Sequence, residues 1–226
     1  MTGSSPPPPP HSTEFWDAHY AAGGNSGTGS YGRLAEFKAE ILNRLLDEHP
    51  VESVIELGCG DGHQLSLIQY PSYLGLDTSP TAIEQCRRDF ADDPTRQFAA
   101  YRTGDPIPGP ADLAVSLDVI YHLLEDETFE QYMRDLFGAA SRLVVVYSSD
   151  SDQPSDWPEV RHRRFTAWVE HNLPQWTLLQ RIPNRYPFDG GTESSWADFY
   201  VYERTPPLSP SRRPRQRGTT ARGRYA

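Results

Sequence analysis

Cysteine, lysine and methionine are nearly missing from this 226-residue chain: there are two Cys, one Lys and two Met. Two cysteines cannot build a disulfide framework, and Cys59 and Cys86 lack metal-site spacing. A disulfide-rich secreted fold and a zinc finger are therefore excluded. No apolar run is long enough to cross a bilayer, and no secretory signal pattern is present, so no membrane partner is expected and a cytoplasmic location is the default. The length fits one domain with a single core and ragged ends. Basic residues are also scarce outside the C-terminus. Residues 204–226 hold seven Arg and no acid, so the first 203 residues carry 14 basic and 31 acidic side chains, a net of −17. So acidic a body repels polyanions, and long RNA or DNA is not an expected partner. The tail, broken by Pro206, Pro207, Pro210 and Pro214, reads as a disordered, solubilising segment. The single lysine, Lys38, reads as a consequence of compositional bias.

Residues 1–11, with five consecutive prolines, read as a flexible leader. Residues 12–22 predict a short helix with Phe15, Trp16, His19 and Tyr20 on its aromatic side. The glycine-rich stretch 23–32 predicts a loop. Leu34, Phe37, Ile41, Leu45 and Leu46 share one side of a helix over 33–48. Then come a strand over Val51–Leu57, a turn at Gly58–Gly62, a helix over 61–69 and a strand ending at Asp77. A helix starts at Pro80 behind a Ser79 cap, and further strands cover 97–102 and 111–117. A helix over 125–139 and a strand over 142–147 follow. This alternation predicts an α/β fold with a mostly parallel sheet covered on both faces. Two late strands, 176–182 and 196–202, have no helix between them and predict an antiparallel hairpin at the sheet edge. The whole of 12–203 is expected to be one domain, with 12–32 as its N-terminal segment.

Glu56-Leu57-Gly58-Cys59-Gly60-Asp61-Gly62 directly follows a strand. Glycines there let a ligand lie against backbone. Asp77 closes the next strand, 19 residues after Gly58, where an acid can take both hydroxyls of a ribose. The spacing is G-x-G-x-G instead of the dinucleotide pattern G-x-G-x-x-G. The added carboxylate of Glu56 suits a cationic ligand end better than a pyrophosphate, which favours an amino-acid or sulfonium-bearing nucleoside over NAD.

With these motifs in order, and with Leu76-Asp77-Thr78-Ser79 and Asp112–Leu123 behind them, residues 31–202 resemble the class I S-adenosylmethionine-dependent methyltransferases. The resemblance implies their Rossmann-like fold, a seven-stranded sheet with six parallel strands and one antiparallel. It implies S-adenosylmethionine as cofactor and S-adenosylhomocysteine as product. Gly58, Gly60 and Gly62 would underlie the methionine part, and Glu56 would sit near its amino group or organise the turn. Asp77 would bind ribose, and Thr78 or Ser79 the adenosine edge. Asp105 would contact adenine, although Gly-Asp-Pro is also an ordinary turn. Leu117 and Asp118 would line the methionine side. Tyr20, Gly24, Asn25, Ser26 and Tyr31 are candidates for a lid.

A hydroxyl acceptor needs a general base. His122, beyond the fourth strand, is the first candidate; Tyr121 adjoins it, and His162 is the alternative. Arg161 and Arg163, with Trp157 and Tyr186, are candidate acceptor contacts. Asp150, Asp152 and Asp156 could approach a divalent ion with His122 or Asp118, but acids in a polar loop are more often solvated, so no metal site is assigned. The stretches 23–42 and 116–126 look like small bacterial enzymes of sugar and specialised-metabolite modification. That resemblance implies O-methylation of a small molecule, with a saccharide hydroxyl as first choice. N- or carboxyl-methylation of a metabolite, and an inactive cofactor-binding regulatory subunit, are the alternatives. A homo-oligomer is compatible with the sequence.

Overall fold

The computed structural model describes residues 12–205. The Pro-rich leader, and the Arg-rich tail beyond Thr205, lie outside the described residues. In chain order the elements are α1 (Ser12–Ala21), α2 (Gly32–Glu48), β1 (Val54–Leu57), β2 (Tyr73–Asp77), α3 (Pro80–Asp89), β3 (Arg96–Ala100), β4 (Ala111–Leu117), α4 (Asp126–Gly138), β5 (Ala140–Ser148), α5 (Phe165–Asn172), β6 (Trp176–Ile182) and β7 (Asp198–Arg204). The strands form one sheet in the order β3-β2-β1-β4-β5-β7-β6. β7 runs antiparallel between β5 and β6, and the other neighbouring pairs are parallel. This is the Rossmann-like methyltransferase topology expected from the sequence.

The sheet is buried on both faces because its central strands are apolar at consecutive positions. Val54, Val115, Val145 and Tyr147 point into one core, which α2 covers with Phe37, Ile41, Leu42 and Leu45. Ile55, Leu57, Val144 and Val146 point into the other, which α4 covers with Phe129, Met133, Leu136 and Phe137. β3 and β6 are the edge strands, and residues 177–181 of β6 are exposed. No helix among the described residues is long and apolar enough to cross a membrane.

Two expectations need correction. The strand read from Val51 begins at Val54. The helix expected over 61–69 is a single 3-10 turn, Leu65–Leu67. The Ser66 N–H is shared between the carbonyls of Gly62 (3.2 Å) and His63 (3.1 Å), and Ile68 is already extended at φ −117°. Ile68 and Tyr70 are drawn into the core, so the chain must straighten before a full helical turn closes.

Candidate active site

A cavity opens at the C-terminal ends of β1, β2 and β4, the edge where open α/β sheets bind ligands. Glu56, Gly58 and Gly60 come from β1 and its turn, Asp77 and Thr78 from β2, Leu117 and Asp118 from β4, and His122 from the loop after β4. Trp16, Tyr20 and Ser26 close it from the N-terminal segment. The cavity is narrow, about 100 Å³, below the usual range for small-molecule sites, because that segment is drawn across its mouth.

Asp61 clasps the segment. Its Oδ2 accepts from the Ser26 N–H and the Tyr31 hydroxyl, both at 2.8 Å, and its Oδ1 from the His63 N–H at 3.0 Å. Ser26 Oγ accepts from the Asp61 N–H at 2.9 Å and lies 2.9 Å from the Tyr20 hydroxyl. Burial opposes ionisation of Asp61, but the N–H groups of His63 and Ser26 outweigh it and hold the carboxyl below its ordinary range. Gly60 sits beneath the clasp at φ +57°, where a Cβ would collide with Ser26 Oγ. Farther along, Asp17 accepts from the Ser79 hydroxyl at 2.6 Å and ties α1 to the start of α3.

Glu56 and Asp77 face the cavity from buried positions. Asp77 takes the Gly60 N–H and the Ser79 N–H, each at 2.9 Å. Burial raises its pKa against those bonds. Glu56 accepts from the Tyr73 hydroxyl at 2.7 Å, and burial pushes its pKa up to about 7, opposed by that bond and by Lys38. The third acid, Asp118, adopts φ +59°, rare for a residue with a side chain. Its Oδ2 pairs with Lys38 Nζ at 2.6 Å, its Oδ1 takes the Tyr121 hydroxyl at 2.7 Å, and its N–H reaches the Tyr147 carbonyl at 2.9 Å. The cavity thus presents three carboxyl groups with one ammonium behind them, and a cationic ligand end would favour their ionised forms. Gln64 sharpens this. Its amide N–H₂ is held by the Ala35 carbonyl at 3.1 Å, leaving Oε1 buried beside the cavity with no partner. That orphaned acceptor calls for a donor.

The raised pKa of Glu56 carries a stability prediction. The unfolded chain loses this proton near the ordinary value of 4.5, whereas the fold keeps it to about 7. The contribution is fully present below pH 4.5 and is lost as pH rises through 7. Between those limits wild type should lose roughly 3 kcal/mol relative to Glu56→Gln, which keeps an acceptor for Tyr73. Melting temperatures of the two proteins should draw apart between pH 4.5 and 7 and keep a constant gap above that; a gap that does not change with pH would refute the assignment.

Other residues singled out from sequence lie elsewhere. Gly62 packs beneath Phe90 and Cys86, and Ser79 is spent on capping α3, its Oγ accepting the Ala82 N–H at 3.2 Å. Gly24 and Asn25 form the turn of the strap: the Gly24 N–H reaches the His19 carbonyl, and the Asn25 carbonyl accepts from His19 Nε2, both at 2.9 Å. Tyr31 acts on Asp61 and stacks on His63 at 4.1 Å. Asp105 is exposed and closes its own turn by accepting the Arg102 N–H at 2.9 Å, while Tyr101 and Thr103 reach the cavity instead. Tyr121 lies behind Asp118, outside the lining. Arg161 and Arg163 pair with Asp126 at 2.9 and 3.2 Å and donate to the Leu123 and Leu124 carbonyls, so they brace the loop after β4. Tyr186 packs against Phe37 and beneath Arg33. His162 and Trp157 line a neighbouring hollow. Asp150 accepts from Thr166, and Asp152 from the Arg164 N–H. Sequence reasoning missed Trp16, Gln64, Thr103 and Thr128 on the lining, and Lys38 behind it.

Residues 55–144 match the family model described as a methyltransferase domain. Three solved structures share the fold. The N-methyltransferase NodS from Bradyrhizobium japonicum WM9, in complex with S-adenosyl-l-homocysteine, is 14% identical over 86% of this chain and 99% of its own, with a TM-score of 0.70. Magnesium protoporphyrin IX methyltransferase (ChlM) from Synechocystis PCC 6803 with bound SAH is 15% identical over 86% of this chain and 96% of its own, with a TM-score of 0.62. The methyltransferase domain of bacterial CtHen1 is 17% identical over 76% of this chain and 98% of its own, with a TM-score of 0.60. A search of curated proteins finds no match. Residues 55–144 are thus similar to a methyltransferase domain, and the sheet is the Rossmann-like fold these structures share. Carbon and small-RNA methyltransferases share this fold too, so the acceptor must be read from the site.

Proposed function

We propose that the chain is an O-methyltransferase that moves the methyl group of S-adenosylmethionine to a hydroxyl of a small molecule, with a saccharide as the acceptor class. The cofactor's fit rests on the cavity itself. Glu56 and the orphaned Gln64 Oε1 would accept from its ammonium group, Asp77 from its ribose, and the Gly58–Gly60 backbone would lie beneath it. When bound, the cofactor supplies a methyl group already activated on a sulfonium.

His122 carries the hydroxyl reading. Its Nδ1 lies 2.9 Å from the Glu159 carbonyl, which can only accept, so the proton sits on Nδ1 and Nε2 keeps its lone pair. Burial pulls the pKa below the ordinary histidine value, against the Glu159 carbonyl, and keeps the ring neutral at pH 7. Trp16 and Tyr121 hold it at centroid distances of 5.0 and 4.6 Å, beside the cavity. An alcohol is a poor nucleophile, and a fixed neutral imidazole can take its proton as the carbon–oxygen bond forms. A carboxylate acceptor would need cationic clamps instead, and Arg161 and Arg163 are committed to Asp126.

His122→Ala should lower kcat by about 10²- to 10⁴-fold with S-adenosylhomocysteine affinity unchanged. The base must be neutral, so wild-type kcat/KM should rise with pH through a value below 6.5 and then level. Labelled-methyl transfer to a panel of neutral saccharides reads both effects. Unchanged turnover in the variant would rule out His122 as the base.

A further inference from the structure

Beyond the end of β5 lies a second hollow, of about 450 Å³, that methyl transfer at His122 does not use. Trp157, Phe188 and Trp196 form its floor. Phe188 lies against Trp196 with centroids 3.8 Å apart, and Trp157 meets Trp196 at 5.1 Å and an angle of 66°. These contacts fix the rings, yet Trp157 is 42% and Trp196 37% exposed. Neither indole belongs to the hydrophobic core, so core packing does not account for them. A cage for a cation needs ring faces around an empty centre. Here Phe188 lies on Trp196 with no gap between them, and Trp157 meets both edge-on, so the exposed parts of the two indoles form an outward apolar platform.

The rim is polar. Gln153, Ser155 and Asp156 stand on one side, and the Arg181–Asp198 pair, at 2.6 Å, on the other. Asp198 is fixed further by the Asn184 N–H at 2.8 Å. Asp150 also lines the hollow, so carboxylates outnumber the guanidinium and an anionic ligand is repelled. A flat, wholly apolar ligand would cover the platform but strip water from the rim without replacing its hydrogen bonds. A pyranose ring has one apolar face and a hydroxyl edge, and satisfies both.

A wall of packed rings separates the hollow from the reaction cavity beside it. His122 meets Tyr121 at 4.6 Å, Tyr121 meets His162 at 6.5 Å, and His162 meets Trp196 at 5.3 Å. A molecule that occupies both places is longer than one sugar ring. We infer that the platform is an acceptor subsite for a neutral pyranose ring adjoining the one that is methylated, so that the acceptor is an oligosaccharide or glycoside and not a free monosaccharide. This rests on the saccharide-hydroxyl reading above.

The test uses the full chain saturated with S-adenosylhomocysteine on an array of neutral and acidic oligosaccharides. The strongest neutral binder is then titrated against Trp157→Ala, Trp196→Ala and their phenylalanine counterparts. Binding should favour neutral oligosaccharides, weaken about tenfold or more in the alanine variants and survive in the phenylalanine ones, with S-adenosylhomocysteine affinity unmoved. No neutral binder, a preference for acidic chains, or alanine variants that bind like wild type would each overturn the subsite. If the subsite fails while labelled methyl still reaches a saccharide oxygen in a His122-dependent way, the hydroxyl reading stands. If the platform binds saccharide but none is ever labelled, the hydroxyl reading fails and the acceptor subsite fails with it, leaving only a saccharide-binding surface.

Discussion

Gly60→Val should weaken S-adenosylhomocysteine binding on the order of 100-fold while leaving the domain folded. Gly60 holds φ +57°, and a β-branched residue there costs about 1–2 kcal/mol in backbone strain. A Cβ would also collide with Ser26 Oγ and come within 2.9 Å of Tyr20 Oη, which breaks the clasp between Ser26 and Asp61. The strain and the lost hydrogen bond, worth about 1 kcal/mol, are relieved when the free turn shifts out of place, so binding must restore its geometry at the ~2.7 kcal/mol that two decades of affinity require. Gly190→Ala is the control. Gly190 holds φ +93°, but a Cβ there meets nothing within 4 Å, so it carries backbone strain without collision and should bind normally. Calorimetric titration decides: a Gly60→Val protein that binds within about threefold of wild type would mean that the turn does not cradle the ligand.

The sheet was legible in the sequence because its strands are local patterns. RLVVVY and ADLAVSL are apolar at successive positions, as strands buried on both faces must be, and two late strands without a helix between them could only pair antiparallel. The cradle was legible for the same reason: Glu56, Gly58, Gly60 and Asp77 belong to two short motifs. What the sequence hid depends on partners far along the chain. Arg161 and Arg163 look like an anion site until Asp126, more than thirty residues away, neutralises them. Asp61 looks like part of a glycine turn until Ser26 and Tyr31 arrive to cap it. Gln64 shows its worth only as an unpaired buried oxygen. Lys38 is the sharpest case. It lies four residues after Leu34 and three before Ile41, on the buried stripe of α2, yet its charge disguised the period. The signal was there in its being the only lysine of the chain.

Removing that lysine should cost as much stability as truncating a large core side chain. Lys38 is fully buried, and its ammonium pairs at 2.6 Å with an Asp118 carboxylate that keeps 14% exposure. Breaking a buried pair by deleting one partner typically costs 3–5 kcal/mol, because the other charge stays behind desolvated. Some water still reaches Asp118, so Lys38→Met should cost about 3 kcal/mol, the low end of that range. For a domain of this size, that shift lowers Tm by about 6–12 °C. Arginine should not rescue it, since a longer planar group has no room in a slot closed by the Tyr147 ring 5.4 Å away. The cost is electrostatic in origin, so taking the second charge away should return part of it: Lys38→Met with Asp118→Asn should be more stable than Lys38→Met alone. The same pair also reaches the chemistry. Asp118 orients the Tyr121 hydroxyl, and the Tyr121 ring packs against His122, so a misplaced Asp118 loosens the base. Lys38→Met should therefore lower kcat more than it raises KM, and the double variant should recover stability without recovering kcat. Denaturant titration of the four proteins gives the coupling energy directly. An additive cycle would show that the ammonium and the carboxylate do not depend on each other.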